Sequence, residues 1–153
     1  MAVIWYLLKC PEGNEADYAR KYEKLAVSRE QREVICFEYQ RMMRYGGKWH
    51  MERRPILPGW LYLLETNSPS KDSSMIPCEE PYLKSLCQED HVVGMSRGVI
   101  KNGVTVVTSG PLKGRETLIR RIDRHKRTAE IEIPFGGRST KVTVGLEIYE
   151  KQC

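Results

Sequence analysis

Residues 56–64 read Ile-Leu-Pro-Gly-Trp-Leu-Tyr-Leu-Leu, the strongest apolar strand signal in the chain. Pro58-Gly59 bends the chain near its start. Neighbours on a strand point to opposite faces, so Trp60 and Tyr62 share one face and Leu61 and Leu63 the other. Two readings follow for the aromatic face. It is core, as Trp and Tyr mostly are, or it is an exposed patch that docks a protein.

Working outward toward the N-terminus, Lys48 to Arg53 and Val34 to Tyr45 form a hairpin pattern around Gly46-Gly47. Phe37, Tyr39, Met43 and Tyr45 share one face at period two, interrupted by Arg41. Before them, 14–27 predicts an amphipathic helix: Asn14 caps it, Glu15 and Asp17 sit in the first turn, and Tyr18, Tyr22, Leu25 and Ala26 make the stripe. Val3 to Leu8 fits a buried strand.

Working toward the C-terminus, Asn67 to Ser74 is a polar loop and Glu79 to Gln88 predicts a short helix behind Pro81. His91 to Gly103 reads as a connection. The first part is therefore β-α-β-β-β-α, an α+β sandwich. From Val104 the pattern is all-β: 104–108, 117–122, 128–133 and 140–144 are short strands, with a last one at 146–149. Five short strands in about fifty residues suggest a small β-barrel. The predicted division is 1–94, a linker at 95–103, and a barrel at 104–153.

Charge divides the same way. Residues 1–94 carry 13 Lys/Arg and 14 Asp/Glu, while 95–153 carry 12 and 6. A basic C-terminal unit on a near-neutral one suggests an anionic partner, most often nucleic acid; a solvated basic face without a partner is the alternative. The basic residues cluster in Ser109 to Arg127. Lys113 and Arg115 lie on its first turn, Arg120 and Arg121 on a strand, and Arg124, His125, Lys126 and Arg127 on the next turn. In a small barrel, Lys113, Arg115 and Arg138 would meet on one rim and 124–127 on another. Arginine forks match phosphate oxygens, and lysine adds a point charge.

No catalytic pattern is present. His50, His91 and His125 are isolated, no nucleophile elbow appears, and the glycines around Lys113 lack the strand-to-helix context of a phosphate loop. An enzyme, a cofactor and a metal are not expected. Five cysteines, odd in number and without a C-x-x-C pair, read as reduced thiols. No apolar run approaches the roughly 20 residues that span a membrane, and Met1 to Tyr6 lacks the basic start of a signal peptide, so a cytoplasmic location is expected.

Two motifs carry a family resemblance. Arg54 to Leu64, RPILPGWLYLL, resembles the Phe-Pro-Gly-Tyr-type strand of the NusG N-terminal (NGN) domain, and Trp5 to Glu15, WYLLKCPEGNE, is similar to that domain's first strand and helix start. Residues 104–149 resemble the KOW domain that follows it. Together these cover nearly the whole chain. Trp5 to Leu8 looks like RfaH, and GPLKGRE (Gly110 to Glu116), IDRHKR (Ile122 to Arg127) and VGLEI (Val144 to Ile148) look most like the LoaP-type paralogues, which are bacterial processive antiterminators.

The resemblance implies an NGN-type α/β sandwich followed by a five-stranded KOW barrel, acting in transcription elongation and antitermination. Leu57, Trp60 and Tyr62 match the surface that docks on the clamp helices of RNA polymerase. Lys113, Arg115, Arg120, Arg121, Arg124, His125, Lys126, Arg127 and Arg138 would bind a nascent RNA hairpin, with non-template DNA a further candidate partner and a monomer the expected state. Other readings are a general elongation factor without specific RNA contacts and a ribosome-associated KOW protein. The chain departs from the pattern at Thr117, which stands where the KOW motif has glycine, and at Asn67 to Ser74, too short for the family's extra helix and edge strand. Pro134, Gly136-Gly137 and the β-branched runs oppose the helical C-terminal state of RfaH.

Overall fold

The computed structural model describes residues 3–24, 32–66 and 74–152. β1 (Val3–Lys9) lies inside a four-stranded sheet between β5 (Trp60–Thr66) and β6 (Met75–Cys78), and β2 (Arg32–Ile35) adds to the other side of β5. β1 and β5 are antiparallel, with Trp5 opposite Leu64 and Leu7 opposite Tyr62. The near-continuous apolar sequences of both strands arise because the sheet is covered on both faces. Tyr6, Leu8, Leu61 and Leu63 pack with Tyr18, Ala19 and Tyr22 of α1 (Glu15–Lys24). Trp5, Leu7 and Tyr62 turn the other way, into a core that also holds Ile131, Ile133, Val142 and Val144 from the C-terminal third.

α1 begins where expected: the Asn14 carbonyl accepts the Tyr18 N–H, and acids occupy the first turn. Leu25 to Val27 of the predicted helix lie outside the described residues. Glu15 is more than a dipole acid. It is buried, and its carboxylate accepts the Gly13 and Gly59 N–H groups, each at 2.9 Å. The Cys10 N–H donates to the Gly59 carbonyl at 2.8 Å. Gly59 has φ +83°, and a Cβ there would crowd the Cys10 carbonyl oxygen. Helix start, β1 end and the Pro58-Gly59 bend are thereby tied together, which is why β5 starts at Trp60 rather than at Ile56.

The predicted strand over Val34 to Tyr45 is two strands. It breaks at Cys36-Phe37, where Phe37 turns into the core and its carbonyl accepts the Ile56 N–H. β3 (Glu38–Tyr45) then enters a separate sheet with β4 (Lys48–Pro55) and the two-residue β7 (Val92–Val93). The hairpin turn is Gly46-Gly47, both at positive φ, with Tyr45 opposite Lys48. The predicted helix at 79–88 reduces to a 3-10 turn at Tyr82–Ser85, which buries Leu83. The edge strand that looked to be missing is present as β6; of the preceding loop, 67–73 lie outside the described residues.

The C-terminal third is a five-stranded sheet in the order β10-β11-β12-β8-β9. β8 (Ser96–Lys101) falls within the expected linker, which is therefore not a free connection. Asn102-Gly103, both at positive φ, turn it tightly into β9 (Val104–Ser109). β10 (Ile119–Asp123) and β11 (Thr128–Phe135) follow, and β12 (Arg138–Gln152) replaces the two short strands expected at 140–144 and 146–149. It pairs antiparallel with β11 up to Gly145 and parallel with β8 from Leu146. The sheet is not a hydrogen-bonded barrel: β9 and β10 are its two ends. Between them lies a 3-10 turn, Glu116–Leu118, whose Glu116 carboxylate accepts the Val107 N–H at 3.1 Å. Thr117 sits in that turn, and the register slip falls between Ile119 and Arg121.

The two parts meet closely at Gly145. A Cβ there would collide with the Gln40 carbonyl oxygen of β3 and the Met95 sulfur. Replacing Glu15 by alanine removes the acceptor for the buried Gly59 N–H and the part-buried Gly13 N–H and is expected to lower unfolding stability by about 2 kcal/mol in urea denaturation.

Candidate nucleic-acid interface

The basic segment is held by its turns. Asp123 Oδ1 accepts the Lys126 N–H at 2.9 Å, closing the turn after β10. That hydrogen bond, with the Lys126 and His125 charges, holds the Asp123 carboxyl below its ordinary value of 3.8. Arg127 ends the turn at φ +56°, an uncommon conformation for a residue other than glycine. Its carbonyl accepts the Leu146 N–H at 2.9 Å, and its guanidinium lies 3.9 Å from the Trp49 ring centroid and 3.7 Å from a Glu147 oxygen. Arg124, His125 and Lys126 are exposed, and among the described residues their side chains have no hydrogen-bond or ion-pair partner.

The remaining predicted residues differ in their freedom. Arg121 is exposed. Arg120 donates to the Thr117 carbonyl at 2.6 Å and lies 3.7 Å from Glu132. Arg115 donates to the Pro111 carbonyl at 3.0 Å, so it braces its own turn. Lys113 is exposed on that turn. The Leu112 N–H beside it donates to Ser96 Oγ at 3.0 Å, and Ser96 is in register with Leu146. The 110–115 turn thus lies beside the middle of β12, near Gly145. Arg138 lies at the other end, opposite Phe135, eight residues along β12 and roughly 26 Å away in an extended strand. The expected rim of Lys113, Arg115 and Arg138 does not form, because β12 is one long strand.

The aromatic face is not an open patch. Tyr62 and Leu57 are buried and Trp60 is half-buried. Phe135 covers the two rings, with centroids 5.5 Å from Trp60 and 6.4 Å from Tyr62, both edge to face. Burial pushes the Tyr62 hydroxyl up. Lys9 Nζ lies 5.8 Å from the Trp60 ring on the same edge.

Two features escaped the sequence reading. Trp49 is exposed on the β3–β4 hairpin, where Tyr45 and His50 also stack at 3.7 Å and 6°. Arg41 lines a cleft of ≈ 310 Å³ between β3 and the outer face of β10–β12. Its signal was present in the sequence, as the one charge interrupting an apolar period-two face.

No family model and no curated protein matches the chain. Among solved structures it is similar to one of NusG from Thermotoga maritima, described as "Domain interaction in Thermotoga maritima NusG", at 14% identity over 95% of this chain and 94% of that one, with a TM-score of 0.38.

Two outcomes are expected. Phe135→Ala should lower stability by about 2–3 kcal/mol in denaturant melts and red-shift tryptophan emission as Trp60 gains water. Because the folded-state pKa of Asp123 is depressed, its contribution to the turn is present above the ordinary carboxylate value and lost as pH falls through the lower one. The Lys126 amide proton resonance should follow that transition in an NMR pH titration.

Proposed function

We propose that this protein is a bacterial transcription factor of the NusG/RfaH type, closest in kind to the LoaP-type antiterminators. It binds a nascent RNA hairpin through its C-terminal sheet and RNA polymerase through its N-terminal sheet, as a cytoplasmic monomer. The observation that carries the RNA half is the 123–127 turn. Three side chains, Arg124, His125 and Lys126, stand free on a backbone braced by Asp123 and by the Arg127 carbonyl. Ordering a long cationic side chain against a phosphate is cheapest where the backbone beneath it is already fixed.

The polymerase half uses Leu57, Trp60 and Tyr62, as the family resemblance implies. Phe135 covers Trp60 and Tyr62 here. Docking through them therefore requires the β11–β12 hairpin to lift away. The covered area is one aromatic contact and its surroundings, so a partner that buries more apolar surface can displace it.

A mobility shift with leader hairpins, unrelated hairpins and competitor at physiological salt tests the reading. Selective retention of the leader hairpin supports it, and equal binding to arbitrary RNA points to a general elongation factor. Lys126→Ala and Arg124→Ala should each lower RNA affinity and reduce the salt slope by about one, with polymerase binding spared. Trp60→Ala should do the reverse.

A further inference from the structure

The cleft between β3 and the C-terminal sheet joins residues that are far apart in sequence. Arg41 and Tyr39 come from β3, Arg121 and Asp123 from β10, Lys126 from the turn and Glu130 from β11. Three of these are cations. The two acids are already engaged: Asp123 with the Lys126 N–H, and Glu130 at 4.0 Å from Lys141 Nζ. Arg41 is not engaged. Among the described residues its Nε is the buried side-chain polar atom left without a hydrogen-bond partner.

Nε is shielded from solvent, but the guanidinium as a whole carries a charge with no ion-pair partner among the described residues, and an anion in the cleft offsets that charge. An anion with several oxygens can meet Arg121 and Lys126 as well, since both line the same cleft. A planar guanidinium and a lysine ammonium suit a phosphate group, the first through paired donors and the second as a point charge. The cleft has room for it: ≈ 310 Å³, against roughly 30 Å³ for a water molecule.

We infer that Arg41, Arg121 and Lys126 form a phosphate-binding site in this cleft, and that its occupant is a backbone phosphate of the bound RNA. The inference rests on the RNA-binding reading above and extends it to the near-neutral N-terminal part. One RNA strand leaving the 123–127 turn then passes between the two parts, beside the exposed Trp49 and the Tyr45–His50 stack of the β3–β4 hairpin. Trp49 already carries the Arg127 guanidinium on its ring, so stacking of unpaired bases falls to the outer faces of the Tyr45–His50 pair. Because Arg41 belongs to one part and Arg121 and Lys126 to the other, RNA in the cleft also favours the packed arrangement of the two.

The test uses the full chain. Hairpin RNA binding is measured by filter retention across a salt series for wild type, Arg41→Gln, Arg41→Lys and Arg121→Gln. Arg41→Gln is expected to lower affinity about tenfold and reduce the log-log salt slope by about one, with Arg41→Lys between it and wild type. Arg41→Gln with Arg121→Gln should cost less than the two single losses combined, since both act on one phosphate. Separately, the wild-type Arg41 Nε–H resonance should shift on titration with inorganic phosphate and stay put with chloride at equal ionic strength. This arm needs no variant to fold.

Unchanged affinity and slope in Arg41→Gln, with Lys126→Ala still defective, would overturn the cleft and leave the RNA reading standing. A phosphate-dependent Arg41 shift in a protein that binds no RNA would retain the site for a free anion and overturn its RNA occupant. No shift with phosphate would overturn the site itself.

Discussion

The structure depends on covering both faces of the strand pair β1–β5. A strand that is apolar on both sides cannot stop at one layer. α1 supplies the cover on one face through Tyr18, Ala19 and Tyr22. The other face, with Trp5, Leu7 and Tyr62, is closed by residues of the last third of the chain, which join it in one continuous core. Everything the C-terminal sheet presents to solvent is positioned by that contact, from the 123–127 turn to the cleft at Arg41.

The same contact sets a competition. Phe135 shields Trp60 and Tyr62 by edge-to-face packing at one end of the β11–β12 hairpin, while Gly145 runs against the Gln40 carbonyl near the other. A partner that takes the aromatic face must separate at least the Phe135 end. A ligand held by Arg41 and Arg121 together works in the opposite direction. If the two proposed partners bind as argued, their affinities are linked through one packing interface, and the linkage is reciprocal.

Much of the local structure was legible. The Gly46-Gly47 turn, the start of α1, the β1 and β5 strands and the chargeable turn at 123–127 all follow from short-range rules: glycine at positive φ, an Asn and acids at a helix start, apolar runs of strand length. The errors share a cause too. In the sequence β8 reads as part of a connection because 91–103 contains Gly94, Gly98 and Asn102-Gly103. Gly98 is there because β9 passes close: a Cβ would clash with the Val106 carbonyl oxygen. In the sequence β12 reads as two short strands on either side of Gly145, whereas Gly145 marks a close crossing within one strand. The predicted rim of Lys113, Arg115 and Arg138 failed with it.

By itself the sequence determined the β1 and β5 strands, the Gly46-Gly47 hairpin, where charge accumulates and which turns carry it, because those depend on neighbours a few positions away. Only the tertiary structure decided that Trp60 and Tyr62 lie under Phe135, that Arg120 and Arg115 are spent on Glu132 and a backbone carbonyl, and that Arg41 faces Arg121 across a cleft. The first and last of those outcomes are set by which sheet face lies against which, between residues some seventy to eighty positions apart, and the arginine contacts by the particular turn and strand register, none of which a period or propensity along the chain encodes.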